Sequence, residues 1–167
     1  MLTIAKFDRY DMVNNPGDKT ASMTIWFSGC NLRCKNCHNR KLWDKKYGNK
    51  YNVESVASLV KATCNKLGVK SVVLLGGEPL QQDKQELLSL CRLLSEAGLK
   101  IWLYTGYEFS DIDTELIKYL YTIKCGKYID SLRQDGFPAS TNQIVYRLVD
   151  GDWKDITEIF KEELKCK

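Results

Sequence analysis

The segment FSGCNLRCKNCHNRKLW, residues 27–43, carries three of the chain's seven cysteines within eight residues, spaced C-x-x-x-C-x-x-C. Three thiolates from one short loop can ligate three corners of a four-iron cluster. The missing fourth protein ligand leaves one iron open, as catalytic metal sites require, whereas a structural site closes itself. The competing chemistry is zinc held by Cys30, Cys34, Cys37 and the adjacent His38, the sole histidine. Structural zinc sites usually draw ligand pairs from two separated segments, and a histidine directly after the last cysteine must turn sharply back to reach the metal. The spacing therefore favours an iron–sulfur cluster on Cys30, Cys34 and Cys37, with His38 as a neighbour.

Two further stretches invite a ligand. In GGEP, Gly76 to Pro79, two glycines allow positive φ and close backbone approach, and exposed carbonyls and amides there can bind a charged amino group. In WLYTGY, Thr105 offers a hydroxyl, Gly106 permits close approach, and Tyr104 or Tyr107 can wall a pocket. Taken alone, each is ordinary loop or aromatic-core sequence. Cys64, Cys91, Cys125 and Cys166 are isolated, and Cys64 and Cys91 read as small apolar residues inside helices.

The 167 residues, 44% of them hydrophobic, suit one globular domain spanning 1–167. No run of eighteen apolar residues appears, and MLTIAKFDRYD lacks the apolar region and cleavage site of a secretory signal, so a cytoplasmic protein without a membrane span is expected. In that reducing compartment clustered cysteines serve metals or catalysis, and the odd total agrees. A net charge of +4 is too mild to announce a nucleic-acid binder by itself. Its distribution is uneven: Arg33, Lys35, Arg40, Lys41, Lys45 and Lys46 crowd the cysteines, a face that suits an acidic electron donor such as flavodoxin if it is more than solvated surface.

The elements that must position these residues alternate. SMTIWFS, 22–28, reads as a strand delivering the cysteines onto a loop. Apolar positions from Val53 to Leu67 recur at three and four, with Asn52 as N-cap and Gly68 as stop, predicting a helix. KSVVLLGG, 70–77, is a strand buried on both faces. A helix follows over roughly Gln82 to Ala97, ended by Gly98, then the strand LKIWLYTG. Ser110 with Asp113 resembles a capping box opening a helix through Leu116, Ile117 and Leu120. After TIKCGKY the pattern weakens until NQIVYRLV, 142–149, a late strand, and DWKDITEIFKEEL, 152–164, a last helix. The sum, β-α-β-α-β-α-β, predicts an α/β fold with a mostly parallel sheet. A closed eight-stranded barrel takes about 250 residues, so an incomplete (βα) barrel is expected. Ligands of such sheets gather at the carboxyl ends of the strands, where all three stretches fall.

C-x-x-x-C-x-x-C after a first strand, with Gly-Gly-Glu-Pro after the second, resembles the radical S-adenosylmethionine superfamily. Within it the chain is similar to the family that activates anaerobic, class III ribonucleotide reductase. The likeness rests on NNPG (14–17), FSGC…CHN…W (27–43), LGGEPL, WLYTGY, CGKY (125–128) and TNQ (141–143), and so spans most of the chain. It implies a [4Fe-4S] cluster on Cys30, Cys34 and Cys37, with the methionine amino group of S-adenosyl-L-methionine against Gly76, Gly77 and Glu78. Thr105 and Asn142 are implied for the ribose or carboxylate. The implied reaction is reductive cleavage of the sulfonium and hydrogen abstraction from a glycine of the reductase's large subunit, leaving a glycyl radical. No protein acid or base is needed. The chain departs from the common pattern at Asn14 and Asn15, at Cys125, and at Asn36 before the third cysteine.

Two other readings stay open. One is a radical enzyme acting on a small molecule, similar to 7-carboxy-7-deazaguanine synthase, although that family usually continues Cys-Asp-Thr where this chain has Cys37-His38-Asn39. The other is a zinc-stabilised binding module docking protein or RNA through the basic loop.

Overall fold

The structure is a computed structural model that describes residues 1–16, 18 and 20–160. Eight strands form a single sheet: β1 (Leu2–Asp11), β2 (Ser22–Phe27), β3 (Asn49–Tyr51), β4 (Ser71–Gly76), β5 (Lys100–Tyr104), β6 (Thr122–Cys125), β7 (Ile144–Val149) and β8 (Asp152–Asp155). Their order is β3-β1-β2-β4-β5-β6-β7-β8. The four central strands, β2, β4, β5 and β6, are parallel, as expected. Both margins are antiparallel, with β1 and β3 on one side and β7 and β8 on the other, so the sheet as a whole is mixed and open. No described helix is long and apolar enough to cross a membrane.

Alternation along the central strands explains the two layers. Val72 and Leu74 of β4 join Val56 and Val60 of α1 (Val53–Leu67) and Leu87 and Leu90 of α2 (Lys84–Glu96) in the larger core. Val73 and Leu75, one residue out of phase, point to the opposite, concave face, where Trp102, Val145, Ile156 and Phe160 meet. Each such buried side chain contributes about 1.5–3 kcal/mol. Helix α1 starts at Asn52, whose side chain accepts from the Ser55 N–H at 2.7 Å, and stops at Gly68 in the left-handed conformation, as its sequence predicts.

Two local expectations are corrected, and two strands stand where the sequence reading gave no element. The helix expected over 152–164 begins instead as β8: Asp150 and Gly151 both take positive φ (53° and 88°) and turn the chain back on β7. This is the Asp-Gly hairpin signal, which outranks the apolar spacing of Trp153 and Ile156. A helical turn follows at 157–160, and the rest of the expected helix lies outside the described residues. The box expected from Ser110 and Asp113 is formed by Glu108 and Asp111 around a 3-10 turn, while Asp113 caps the short α3 (Thr114–Ile117). Thr122–Cys125, given no element in the sequence reading, is the fourth parallel strand, and the late strand β7 runs antiparallel beside it. Finally, Leu2–Asp11 pairs with β2 despite its charged residues, because Leu2 and Ile4 alternate into the core.

The concave face is crossed by the segment between β1 and β2. Asp11 organises its start, accepting from the N–H groups of Val13 (2.7 Å) and Asn14 (3.1 Å) and from the Thr24 hydroxyl (2.7 Å). Burial alone would raise the Asp11 pKa, but these hydrogen bonds together hold it below the usual value. Further along, Asp18 pairs with Arg147 of β7 at 2.8 Å and accepts from Trp102 Nε1 at 2.9 Å, and the Tyr104 hydroxyl donates to the Asn14 carbonyl at 2.8 Å.

Candidate functional site

At the carboxyl ends of β2, β4, β5 and β6 a cavity of about 370 Å³ opens, within the range of small-molecule sites, about 300–1,000 Å³. It is lined by Cys30, Cys34 and Cys37 after β2, by Gly76, Gly77 and Glu78 after β4, by Tyr104, Thr105 and Gly106 after β5, and by Lys124 of β6. The three loops singled out by the sequence thus share one site. Asn14, Trp26 and Phe137 close its concave side, and exposed His38 lies on its rim.

The glycines of GGEP also join two loops of the protein. A Cβ on Gly76, whose φ is +117°, would sit 2.7 Å from the Phe27 backbone, and one on Gly77 would sit 2.6 Å from the Gly29 carbonyl. Both are needed so that the start of the cysteine loop can lie against the β4 loop. Backbone bonds complete that junction: Gly77 N–H to the Phe27 carbonyl and Glu78 N–H to the Gly29 carbonyl, each 2.8 Å. The next residues brace it. Gln81 bonds both the backbone N–H and the side chain of Asn31, and donates to the Tyr107 hydroxyl at 3.0 Å. Gln82 donates to the Ser28 carbonyl at 2.9 Å and accepts from the Thr3 N–H at 2.8 Å. The stretch GGEPLQQ therefore brackets the loop that carries the thiols.

Glu78 is 1% exposed and accepts from the Thr105 hydroxyl (2.7 Å), the Gly106 N–H (2.8 Å) and the Leu80 N–H (3.1 Å). Burial raises its pKa, against the pull of those hydrogen bonds and of Lys124. The Thr105 hydroxyl is thus committed to Glu78. Asn142 donates to the Lys127 carbonyl at 2.8 Å and does not line the cavity, whereas its neighbour Gln143 does.

The thiols respond to their confinement. Burial, with the nearby charges of Glu78 and the other two cysteines, pushes the Cys30 pKa up, and burial does the same at Cys34. A metal replaces the proton on each sulfur and removes that penalty. Among the described residues no group of three or more His, Cys, Asp or Glu side chains converges as the ligands of one metal ion do. Thiolates of a four-iron cluster need no such convergence, because each bonds a different iron. The donor set, three half-buried free thiols facing one cavity, fits that cluster better than a Cys₃His zinc site with an exposed histidine.

Sequence reasoning missed Lys124. Burial in the cavity wall brings its pKa down to about 8, opposed by the Glu78 charge, and its ammonium lies 5.6 Å from the Tyr104 ring centre. The short apolar strand around it gave no signal for a functional cation.

Comparison with known proteins agrees with this geometry. Residues 13–146 match the 4Fe-4S single cluster domain family. The anaerobic ribonucleoside-triphosphate reductase-activating protein of Enterobacteria phage T4 is 32% identical over 149 residues, covering 86% of this chain and 93% of the relative. A 7-carboxy-7-deazaguanine synthase of Clostridium acetobutylicum is 35% identical over 100 residues, but covers only 56% of this chain and 42% of the relative. Among solved structures, QueE from Escherichia coli superposes with a TM-score of 0.50 at 18% identity, covering 74% of this chain and 69% of that one, a likeness of fold. The chain belongs to the 4Fe-4S single cluster domain family and to the family of anaerobic ribonucleoside-triphosphate reductase-activating proteins.

Proposed function

We propose that the chain acts as a single cytoplasmic domain that installs a glycyl radical on the large subunit of an anaerobic ribonucleotide reductase. Held by Cys30, Cys34 and Cys37, a [4Fe-4S] cluster would supply the one electron for reductive cleavage of S-adenosyl-L-methionine, the chemistry that would make hydrogen-atom abstraction from the glycine possible. The observation that carries this reading is the meeting of three free thiols with the GGE loop in one cavity.

The chain's own residues bind, orient and exclude water. Cys30, Cys34 and Cys37 hold the cluster and leave one iron without a protein ligand. Backbone groups of Gly76, Gly77 and Glu78 receive the amino group of the co-substrate. Glu78 acts from within the wall, tying the β4 loop to the β5 loop through Thr105 and Gly106. Lys124 offers a cation to the co-substrate's carboxylate. The aromatic walls of Trp26, Tyr104 and Phe137 keep the cavity dry, and the open sheet leaves a side on which a polypeptide can be admitted. Arg33 and Arg40 stack on Trp43 at 4.8 and 5.8 Å, which presents a basic face beside the cluster loop to an acidic electron donor such as flavodoxin. We expect neither nucleic acid nor membrane to take part.

The test combines anaerobically reconstituted protein, S-adenosyl-L-methionine, a reductant and the reductase. A glycyl radical signal by electron paramagnetic resonance, with 5′-deoxyadenosine formed, is expected, and both vanish in Cys30→Ala, Cys34→Ala and Cys37→Ala. The partial likeness to 7-carboxy-7-deazaguanine synthase favours a second reading. Turnover of a small substrate without any glycyl radical would establish it in place of the first.

A further inference from the structure

A second cavity, of about 430 Å³, lies on the flank of the cysteine loop that faces Ala5 and Lys6 of β1. It shares Trp26, Cys37, His38 and Asn39 with the co-substrate cavity, so one of the three thiols stands in a partition reached from two sides. Its apolar wall is Ala5, Trp26 and the buried Leu42, while Lys6, Arg40 and Lys41 are exposed at its rim. No acidic residue lines it.

The cations are fixed in place. Arg40 and Lys41 ride on a 3-10 turn, Arg40–Trp43, in which the Leu42 and Trp43 carbonyls accept from the Gly29 N–H (2.8 Å) and the Cys30 N–H (3.1 Å). Across the groove the Lys6 ammonium lies 4.5 Å from the Trp26 ring centre and 3.0 Å from Asp8, which also accepts from Trp26 Nε1 at 2.6 Å. Asp8 therefore offsets Lys6, whereas Arg40 and Lys41 form no ion pair among the described residues. Two uncompensated positive charges are thus held over an apolar wall that contains a thiol.

We propose that this groove is the docking port for an acidic electron-donor protein carrying a reduced flavin, and that it is separate from the opening used by the co-substrate and the glycine. The inference rests on the reading of Cys37 as a cluster ligand. That reading needs one electron from outside for each co-substrate cleaved, at a time when the co-substrate occupies the first cavity. A donor seated on the second cavity meets the partition at Cys37 without displacing anything from the first. Carboxylates around an apolar flavin edge match a cationic rim around an apolar wall, and such complementarity steers encounter and fixes orientation. The donor loses the electron that the cluster gains, and no bond or proton moves in this chain. Arg40, Lys41 and Tyr47 position the donor and touch no reacting atom.

The probe is oxidised flavodoxin, titrated calorimetrically into cluster-loaded protein without oxygen and at low salt. Lys41→Glu reverses a rim charge, and Tyr47→Ala removes a lining aromatic that is 54% exposed. Lys66→Glu makes the same change of net charge in the last turn of α1, at the end of the sheet opposite the cavities, where β4 begins. With iron and sulfide equal to wild type, Lys41→Glu is expected to weaken binding about tenfold and Tyr47→Ala about three- to tenfold. The Lys41→Glu loss fades toward 1 M salt, where the Debye length is about 3 Å, and Lys66→Glu stays within about twofold of wild type throughout. Neither S-adenosyl-L-methionine nor the reductase changes the wild-type affinity. Losses in Lys41→Glu and Tyr47→Ala no larger than in Lys66→Glu would overturn the port, and displacement of flavodoxin by the reductase would overturn its separation from the radical side. Flavodoxin binding as described, with no glycyl radical formed on the reductase, would support the port and remove only the reductase reading. Stoichiometric zinc without sulfide in the reconstituted protein would overturn the cluster reading and the port with it.

Discussion

Replacing Arg147 by Met cuts the tie that holds the β1–β2 segment across the concave face. The guanidinium pairs with Asp18 at 2.8 Å, donates to the Thr122 hydroxyl at 3.1 Å, and lies 5.1 and 5.3 Å from the rings of Trp102 and Tyr121. The two charged side chains are 18% and 12% exposed, so water screens them little. Methionine fills much of the same space but leaves the Asp18 carboxylate with only the Trp102 N–H among its mapped partners. Removing one member of a buried pair costs about 3–5 kcal/mol. For a chain of this size that lowers the melting temperature by about 6–20 °C, at about 2–4 °C per kcal/mol. Anaerobic urea unfolding of Arg147→Met, Asp18→Asn and the double variant measures the interaction directly. Asp18→Asn keeps an acceptor for Trp102, so its cost isolates the charge. The double variant should be less damaged than the sum of the singles by about 1–3 kcal/mol. Additivity within about 0.5 kcal/mol, or an Arg147→Met cost below about 1 kcal/mol, would show that the segment carrying Asn14 is held in some other way.

Glu78→Gln turns an amide donor toward groups that already donate, so about 1–2 kcal/mol of stability is lost where wild-type Glu78 is protonated. Because burial raises the folded-state pKa of Glu78 above the ordinary 4.5, its contribution is fully present below that value and declines as pH rises through the folded-state value. The stability advantage of wild type over Glu78→Gln should therefore shrink from pH 4.5 upward, and an advantage that grows with pH would contradict burial as the dominant cause. Gly77→Ala drives a methyl into the Gly29 and Leu42 carbonyls, at 2.6 and 2.9 Å, and should cost about 1–3 kcal/mol together with much of the iron bound on reconstitution. Gly98→Ala, strained at φ +75° but with nothing within 4 Å of its Cβ, should lose comparable stability and bind iron normally. Equal iron in the two variants would disprove the bracket.

The chemistry of this site was legible where it depends on residue type and spacing along the chain. Three cysteines in eight residues restrict the metal whatever the fold, and the period of Val53 to Leu67 together with the apolar run 71–76 fixes a helix and a buried strand by local geometry alone. The same local logic misplaced 152–155, because apolar spacing was weighed above the Asp-Gly turn that the backbone obeys. It gave no sign that the Thr105 hydroxyl donates to Glu78 or that Gly77 lets the β4 loop lie against Gly29, contacts that join loops of the protein itself.

Only tertiary structure decided which residues meet across strands. Lys124 comes beside Glu78 and Cys34 because β6 is parallel to β5 and its end opens on the same cavity, a relation set by register and invisible in a four-residue strand. Asn36 meets Asp130 across 94 positions, and Asp18 meets Arg147 across 129. Contacts at such separations are chosen by how the sheet packs and closes, since neighbouring residues exert no local preference for them. The sequence by itself determined which cofactor chemistry this chain could hold; its folding determined how that chemistry is enclosed, braced and tuned.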